Sequence, residues 1–190
     1  MSTRLFTLVA AALIVTLGAP TTGAFQTPPP NPDAQVIADF LDRVKRYEAL
    51  HDKLESSLPN VPSPATPELV AQHQSAMERL LTRARAGARR GDIFTDPVRA
   101  YIRRQLSRVF SGPDGARVRA TILDEDTRAV KLTVNSRYPS TMPVSTVPPQ
   151  VLLVLPRLPD ALEYRFVGDT LVLLDIHAGT VVDFMEKALG

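Results

Sequence analysis

Residues 162–185, LEYRFVGDTLVLLDIHAGTVVDFM, carry the sharpest pattern in the chain. Three runs rich in aromatic, leucine and β-branched residues are separated by Gly168-Asp169 and by Ala178-Gly179, and short glycine-containing pairs of this kind mark turns between strands. The pattern predicts a three-stranded antiparallel meander at the C-terminal end. Its predicted strands cover residues 162–167, 170–176 and 180–185.

A second alternating stretch precedes the meander. Val118, Ala120 and Ile122 alternate with polar residues, and an acidic run at 124–127 interrupts the pattern. A matching alternation then covers 130–134, so this stretch predicts a β-hairpin and makes 112–190 a β-rich region. Residues 138–147 are rich in proline, serine and threonine and predict a surface connection. Pro148-Pro149 begins either one helical turn or a buried strand, and periodicity does not decide between them.

Residues 32–111 predict three amphipathic helices. Asn31 and Thr66 each stand before a proline, the arrangement of a capping residue followed by the first helical position. The first helix should run to about residue 57, the second should close at Gly91, and the third should cover 96–110. Because the proline-rich run 59–64 cannot continue a helix, the first two helices should form an antiparallel hairpin.

The predicted fold class is therefore α+β. An N-terminal antiparallel helical hairpin and a third helix precede a small antiparallel β-sheet, made of the hairpin and the three-stranded meander.

The N-terminal end predicts a cleavable signal peptide at 1–24. Arg4 precedes an apolar run at 5–19, and small residues follow up to Ala24, after which we expect cleavage. An uncleaved anchor is the alternative, but the run is shorter than the roughly 20 residues that a spanning helix needs. Residues 25–31 are proline-rich and predict a disordered linker. The expected location is periplasmic or secreted.

Several classes of chemistry have no basis in this sequence. The chain has no cysteine, which excludes thiol catalysis, thiolate metal sites and disulfides. It also lacks a nucleophile elbow, a metalloprotease helix, a phosphate-binding glycine loop and a dinucleotide fingerprint. We therefore expect a non-enzymatic binding or scaffolding protein without a cofactor, and a hydrolase with an unrecognised site is a remote alternative.

Two histidines form a candidate metal site. His51 lies seven residues before Leu58 and His73 seven residues after Thr66, so a symmetric hairpin places each about 10 Å from the turn. Facing imidazoles of this kind bind divalent transition metals, with Glu48, Glu55 or Gln74 as further ligands. The alternative is a pair that only packs or hydrogen-bonds at the helix interface. His177, in the last turn, is expected to be an exposed turn residue.

Arginine is concentrated between Arg79 and Arg119, where eleven arginines stand against three aspartates, while 160–186 holds six carboxylates and one arginine. Like charges four residues apart on a helix repel each other. One way to offset this is an external polyanion, such as acidic lipid head groups, envelope polysaccharide or, least expected in an exported protein, nucleic acid. The alternative is solvation and pairing with Asp92, Asp96 and the acidic C-terminal segment. The candidate contact residues for an envelope protein or an anionic envelope component are Arg79, Arg83, Arg99, Arg103, Arg104 and Arg108.

The C-terminal block from 155 to 183 also carries a resemblance. Its segments are Leu155-Pro156-Arg157-Leu158-Pro159, Tyr164-Arg165-Phe166-Val167-Gly168, 171–175 and Val181-Val182-Asp183. The block resembles a recurrent C-terminal module of small exported bacterial proteins of unknown function, and it is loosely similar to the last strands of periplasmic nickel and cobalt homeostasis proteins. The resemblance implies an envelope protein with a small β-meander, and it transfers no binding residue.

Overall fold

The computed structural model describes residues 31–123, 131–138 and 147–190. The predicted signal peptide, residues 25–30 of the linker, the acidic run 124–127 and most of the connection 138–147 lie outside these ranges. The three strands form one antiparallel sheet in the order β1-β2-β3, which confirms the α+β class and the meander. The elements of the described ranges are α1 (Pro32–Glu55), α2 (Pro67–Ala84), α3 (Asp96–Phe110), α4 (Gly115–Leu123), α5 (Pro149–Leu152), β1 (Leu162–Val167), β2 (Thr170–Asp175) and β3 (Thr180–Met185).

The first two helices begin at the caps that the sequence predicts. Asn31 accepts the amide hydrogen bond of Asp33 at 3.0 Å, and Thr66 Oγ1 accepts that of Leu69 at 3.4 Å. Proline occupies the first turn of α1, α2 and α3, where its missing N–H removes no helical hydrogen bond. The second helix is shorter than predicted, because it ends at Ala84 rather than near Gly91.

Contacts between α1 and α2 show that the two helices run in opposite directions. Near the turn between them, His73 Nε2 lies 3.6 Å from Glu55 Oε1. At the other end of α2, the guanidinium carbon of Arg85 lies 4.9 Å from the centre of the Tyr47 ring. The start of α2 thus lies beside the end of α1, and the end of α2 lies beside the middle of α1. This arrangement is an antiparallel hairpin, as predicted from the proline-rich run.

The predicted β-hairpin is wrong in its first arm, which is helix α4. Val118 and Ile122 are buried, whereas Ala120 between them is exposed. Buried positions four apart fit a helix as well as a strand, so the alternation did not distinguish the two structures. Gly115 lets α4 start close to the end of α3, because a Cβ at this position would lie 2.0 Å from the carbonyl oxygen of Phe110.

The predicted second arm covers 130–134, and its described part, 131–134, does not pair with the first arm, which is helical. In the described ranges, residues 135–138 instead follow the edge of β3. Asn135 donates its amide hydrogen bond to the carbonyl of Val181 at 2.8 Å, and Ser136 accepts that of Val181 at 2.9 Å. After a turn at Asn135, whose φ is +64°, residues 136–138 therefore lie along the edge of the meander and are not part of a separate hairpin. At 149–152 the structure has the short helix α5 rather than a strand.

The sheet is covered on both faces, since every residue of β2 and β3 is buried. One face packs against the helices in the main core. The opposite face carries a smaller cluster, Val167, Val172, Val181 and Phe184, which contacts Leu132, Val134 and Tyr138. The side chains that connect the first face to the helices include Tyr164, Phe166, Leu171, Leu173, Val182 and Met185 from the sheet, and Phe40, Val44, Met77, Leu81, Ile102 and Leu106 from the helices.

A buried carboxylate, Asp183 of β3, holds the loop between α2 and α3. Its two oxygens accept amide hydrogen bonds from Gly91, Ile93 and Phe94 of that loop at 2.8 to 3.2 Å, and from its neighbour Phe184 at 2.8 Å. Gly91 adopts a φ of +94°, a conformation that favours glycine. The loop therefore gets its shape from a β-strand side chain that is distant in sequence.

Within the described residues, no helix has the length and apolar composition needed to cross a membrane.

Candidate metal centre

One face of α1 carries three functional side chains at four-residue spacing: Tyr47, His51 and Glu55. Side chains four residues apart lie one above the other on a helix. Tyr47 and His51 are buried, with His51 only 1% exposed, while Glu55 at the end of the helix is partly exposed. The row therefore runs from the core to the surface, and it faces the end of strand β2.

Asp175, the last residue of β2, meets this row in the core. Its Oδ2 accepts hydrogen bonds from the Tyr47 hydroxyl at 2.7 Å and from His51 Nδ1 at 2.6 Å. Its Oδ1 accepts the amide hydrogen bond of Ala178 at 2.8 Å. A fully buried carboxylate is tolerated only when its oxygens are hydrogen-bonded, and here both are.

The ionisation of the buried pair follows from these contacts. Burial alone would lower the pKa of His51, but its hydrogen bond to Asp175 and the negative charges of Asp175 and Glu55 outweigh burial, so the pKa is raised. Burial alone would raise the pKa of Asp175, but the hydrogen bonds from His51, Tyr47 and the Ala178 amide together with the charge of His51 lower it. Burial, and then the charge of Asp175, raises the pKa of Tyr47, which stays a neutral donor.

Three histidines converge on Glu55. His51 Nε2 lies 3.3 Å from Oε2, and His177 Nδ1 lies 3.1 Å from Oε1. His73 Nε2 lies 3.6 Å from Oε1, slightly beyond hydrogen-bonding distance. The structure therefore brings the predicted pair His51 and His73 to the same carboxylate, and it adds His177, whose ring centre lies 5.2 Å from that of His51.

The donor atoms of this cluster are close enough to share one ion. In the described ranges, one ligand atom each from His51, Glu55 and His177 all lie within 4.8 Å of one another. Zinc binds such atoms at about 2.0 to 2.2 Å, so in a tetrahedral site they would lie roughly 3.3 Å apart. Small side-chain movements suffice. Two imidazoles and a carboxylate suit zinc and its first-row neighbours.

Asp175 has the position of an outer carboxylate behind a metal-bound histidine. It fixes the His51 ring through Nδ1, which leaves Nε2 directed at Glu55. Histidine ligands usually donate their other ring N–H to such a carboxylate, which orients the ring and increases its basicity. A bound ion would take the place of the proton shared between His51 Nε2 and Glu55.

The cluster lies at the surface of an open cleft of about 720 Å³. Glu55, His73 and His177 line it, together with residues from the end of α1, the α1–α2 connection, α2 and the β2–β3 turn. An ion in the cleft can therefore reach Glu55 and His177 from solvent, whereas His51 is 1% exposed and does not line the cleft. The other lining residues are Asp52, Ser56, Asn60, Val61, Val70, Gln74 and Ile176.

The sequence predicted three of the five residues that meet here. His51, His73 and the ligand candidate Glu55 follow from helix periodicity. His177 was expected to be an exposed turn residue, and it is exposed but also contacts Glu55. The sequence does not identify Asp175 as the partner of His51. The only sequence signal was its position two residues before His177, and that spacing does not show which helix the turn approaches.

The arginines of α3 are largely engaged within the chain. Arg103 donates to the carbonyl oxygens of Glu186 at 2.9 Å and Lys187 at 3.0 Å, and Arg104 pairs with Asp33 at 2.5 Å. Arg99 donates to the carbonyl of Phe94 and pairs with Asp96, and Arg108 donates to Gln105.

Arg79 and Arg83 lie on α2 and are exposed. The contacts of the α3 arginines favour internal pairing over an external polyanion for the α3 residues.

Comparisons with protein families, with curated proteins and with solved structures give no match for this chain.

Proposed function

We propose that this chain is an exported, non-enzymatic binding protein of the cell envelope, and that its ligand is a divalent first-row transition ion held by His51, Glu55 and His177. The observation that supports this most is the environment of His51. Its ring is buried, one nitrogen is fixed by Asp175, and the other points at a carboxylate that a second histidine also contacts.

Side-chain packing explains this arrangement less well than metal binding does. The buried pair of His51 and Asp175 is complete without Glu55, since each Asp175 oxygen already has a donor. Packing alone gives no reason for two further imidazoles to meet at Glu55 beside an open cleft. Metal binding gives that reason, because nitrogen and oxygen donors must converge at a point that solvent reaches.

Export is supported by the sequence alone, through the basic start, the short apolar run and the small residues before Phe25. Expression of the full chain in a bacterial host should yield a periplasmic or secreted form whose intact mass corresponds to cleavage after Ala24. Intact-mass measurement of the fractions checks this. An unprocessed chain that stays in the cytoplasm would contradict it.

Metal binding is tested by calorimetric titration of the purified mature protein with Zn²⁺, Co²⁺ and Ni²⁺. We expect one ion per chain. His51→Ala and Glu55→Gln should each weaken the affinity by about 100-fold or more, since changes behind the ligands alone cost 10- to 100-fold. Glu48→Gln is the matched control, because Glu48 lies on α1 but outside the cluster of ligand atoms.

Two results would contradict the proposal. One is the absence of binding to any of the three ions at micromolar concentration. The other is equal affinity of the wild type, His51→Ala and Glu55→Gln, which would show that any bound ion lies elsewhere.

A further inference from the structure

The stretch 59–72 contains no fully buried residue. Every residue in it is exposed except Ala65, which is half-buried. It includes the proline-rich connection and the first turns of α2, with the apolar side chains of Val61, Leu69 and Val70 37 to 49% exposed. Segments with few buried contacts open at low free-energy cost. The stretch is thus held mainly by its two ends.

At the α2 end, burial begins at His73 and Gln74, which are half-buried. His73 lies beside Glu55, and Gln74 lies against the turn at Gly179, where a Cβ would come within 3.0 Å of its side-chain nitrogen. From there the helix is anchored, since Glu78 pairs with Arg137 and Met77 is fully buried. His73 therefore marks the boundary between the anchored and the exposed parts of α2.

The other three candidate ligands belong to well-anchored elements. His51 and Glu55 lie on α1, whose His51 is fixed in the core, and His177 lies in the turn that Asp175 holds through the amide of Ala178. A closed zinc site has four protein ligands. In the described residues, His73 is the additional imidazole that lies beside Glu55 and could provide the fourth.

We propose that a bound ion recruits His73 as its fourth ligand and thereby fixes the exposed stretch 59–72 against the body of the protein. This inference rests on the proposed metal-binding function. It makes the ion a conformational signal: the apolar side chains of Val61, Leu69 and Val70 are mobile in the ion-free protein and held in one arrangement when the ion is bound. It also makes the site closed, which is characteristic of structural rather than catalytic zinc.

Thermodynamic linkage makes the proposal quantitative. In the open form the stretch 59–72 is detached and the ion has three ligands, whereas in the closed form His73 is the fourth ligand. A saturating ion then shifts the equilibrium towards the closed form by a factor equal to the ratio of the two ion affinities. The His73→Ala variant approximates the three-ligand affinity. The factor by which the ion slows opening of 59–72 should therefore match the factor by which His73→Ala weakens binding.

Hydrogen exchange with mass spectrometry on the mature protein, with and without saturating Zn²⁺, measures the first factor. We expect amide exchange in 66–72 to slow by about 100-fold or more with the ion, because His73 would be a ligand and changes behind the ligands alone cost 10- to 100-fold. Calorimetry on His73→Ala should show one ion still bound, weakened by a similar factor, and no slowing of exchange. Gln72→Ala is the matched control: Gln72 is the exposed residue next to His73, and its variant should behave like the wild type.

The outcomes separate this inference from the function on which it rests. If no ion binds to the wild type, the metal-binding function itself fails. If an ion binds but exchange in 66–72 does not change, or if His73→Ala binds as tightly as the wild type, the function stands and the recruitment of His73 is wrong. His73→Gln provides a second variant with a side chain of similar bulk, should the alanine variant be poorly folded.

Discussion

Asp183→Asn is expected to lower the free energy of unfolding by about 2 to 4 kcal/mol. The carboxylate accepts amide hydrogen bonds from four residues, and three of these lie in the loop between α2 and α3. An asparagine has only one acceptor oxygen, and its amide group would face amide donors. With the oxygen in the Oδ2 position, only Phe184 loses its acceptor, because Gly91 also contacts Oδ2 at 3.2 Å; in the other orientation Ile93 and Phe94 lose theirs. One or two buried donors would then lack a partner, at about 1 to 3 kcal/mol each, in addition to the loss of charge-assisted bonds.

Urea unfolding of the ion-free protein at neutral pH measures this effect. Asp160→Asn is the matched control, because Asp160 is exposed and the same loss of charge there should change the free energy of unfolding by less than about 0.5 kcal/mol. Small domains are stable by only about 5 to 15 kcal/mol, so the Asp183 variant should unfold at a clearly lower urea concentration than the wild type. Equal unfolding midpoints for the two variants would show that Asp183 does not hold the loop.

The local parts of the fold follow from the sequence. Caps and prolines at Asn31-Pro32 and Thr66-Pro67 predict the starts of α1 and α2, because these signals act within one turn of the chain. The meander is equally clear, since each of its turns contains a glycine with positive φ, Gly168 and Gly179. These elements need no information from distant residues.

The prediction of a strand for the first arm of the hairpin was wrong for a physical reason. A buried, exposed, buried pattern over five residues fits two structures, because positions four apart lie on one side of both a strand and a helix. The surroundings decide the outcome. Gly115 allows a close turn after α3, and Val118 and Ile122 then contribute to the core that the helices share with the sheet.

The charge asymmetry has an explanation that composition does not reveal. Asp175 and Asp183 count among the acidic residues of the C-terminal segment, yet both are fully buried. Asp183 accepts amide hydrogen bonds and its charge also acts on Arg85, and Asp175 serves His51 and Tyr47. Arg103, in turn, uses backbone carbonyls of 186 and 187 rather than carboxylates. Counting charges along the chain does not predict such pairings, because they depend on contacts between distant elements.

The candidate site was accessible to prediction only within the helical hairpin. Periodicity placed His51 and His73 on facing sides, since both belong to helices joined by one turn. The approach of the β2–β3 turn to the end of α1 joins residues more than 120 positions apart, Glu55 with His177 and His51 with Asp175. No pattern in one sequence specifies that approach, and so the third histidine and the anchoring carboxylate were missed.

Asp175→Ala is expected to lower the free energy of unfolding of the ion-free protein by about 3 to 5 kcal/mol, the range for removing one partner of a buried ionic pair. His51 and the Tyr47 hydroxyl would both lose their acceptor in the core. Asp175→Asn should be less damaging, because its oxygen can still accept from both. Urea unfolding in the presence of a chelator gives the comparison.

Asp175→Ala should also weaken metal binding by about 10- to 100-fold, because it removes the outer carboxylate that orients His51. His177→Ala provides the contrast. Its side chain is exposed, so its loss should change stability by less than about 0.5 kcal/mol while removing a ligand atom from the cluster. If Asp175 positions His51 for an ion, Asp175→Ala impairs both stability and binding, and His177→Ala impairs binding alone. An Asp175→Ala protein that is destabilised but binds the ion as tightly as the wild type would show that the buried pair serves only the fold.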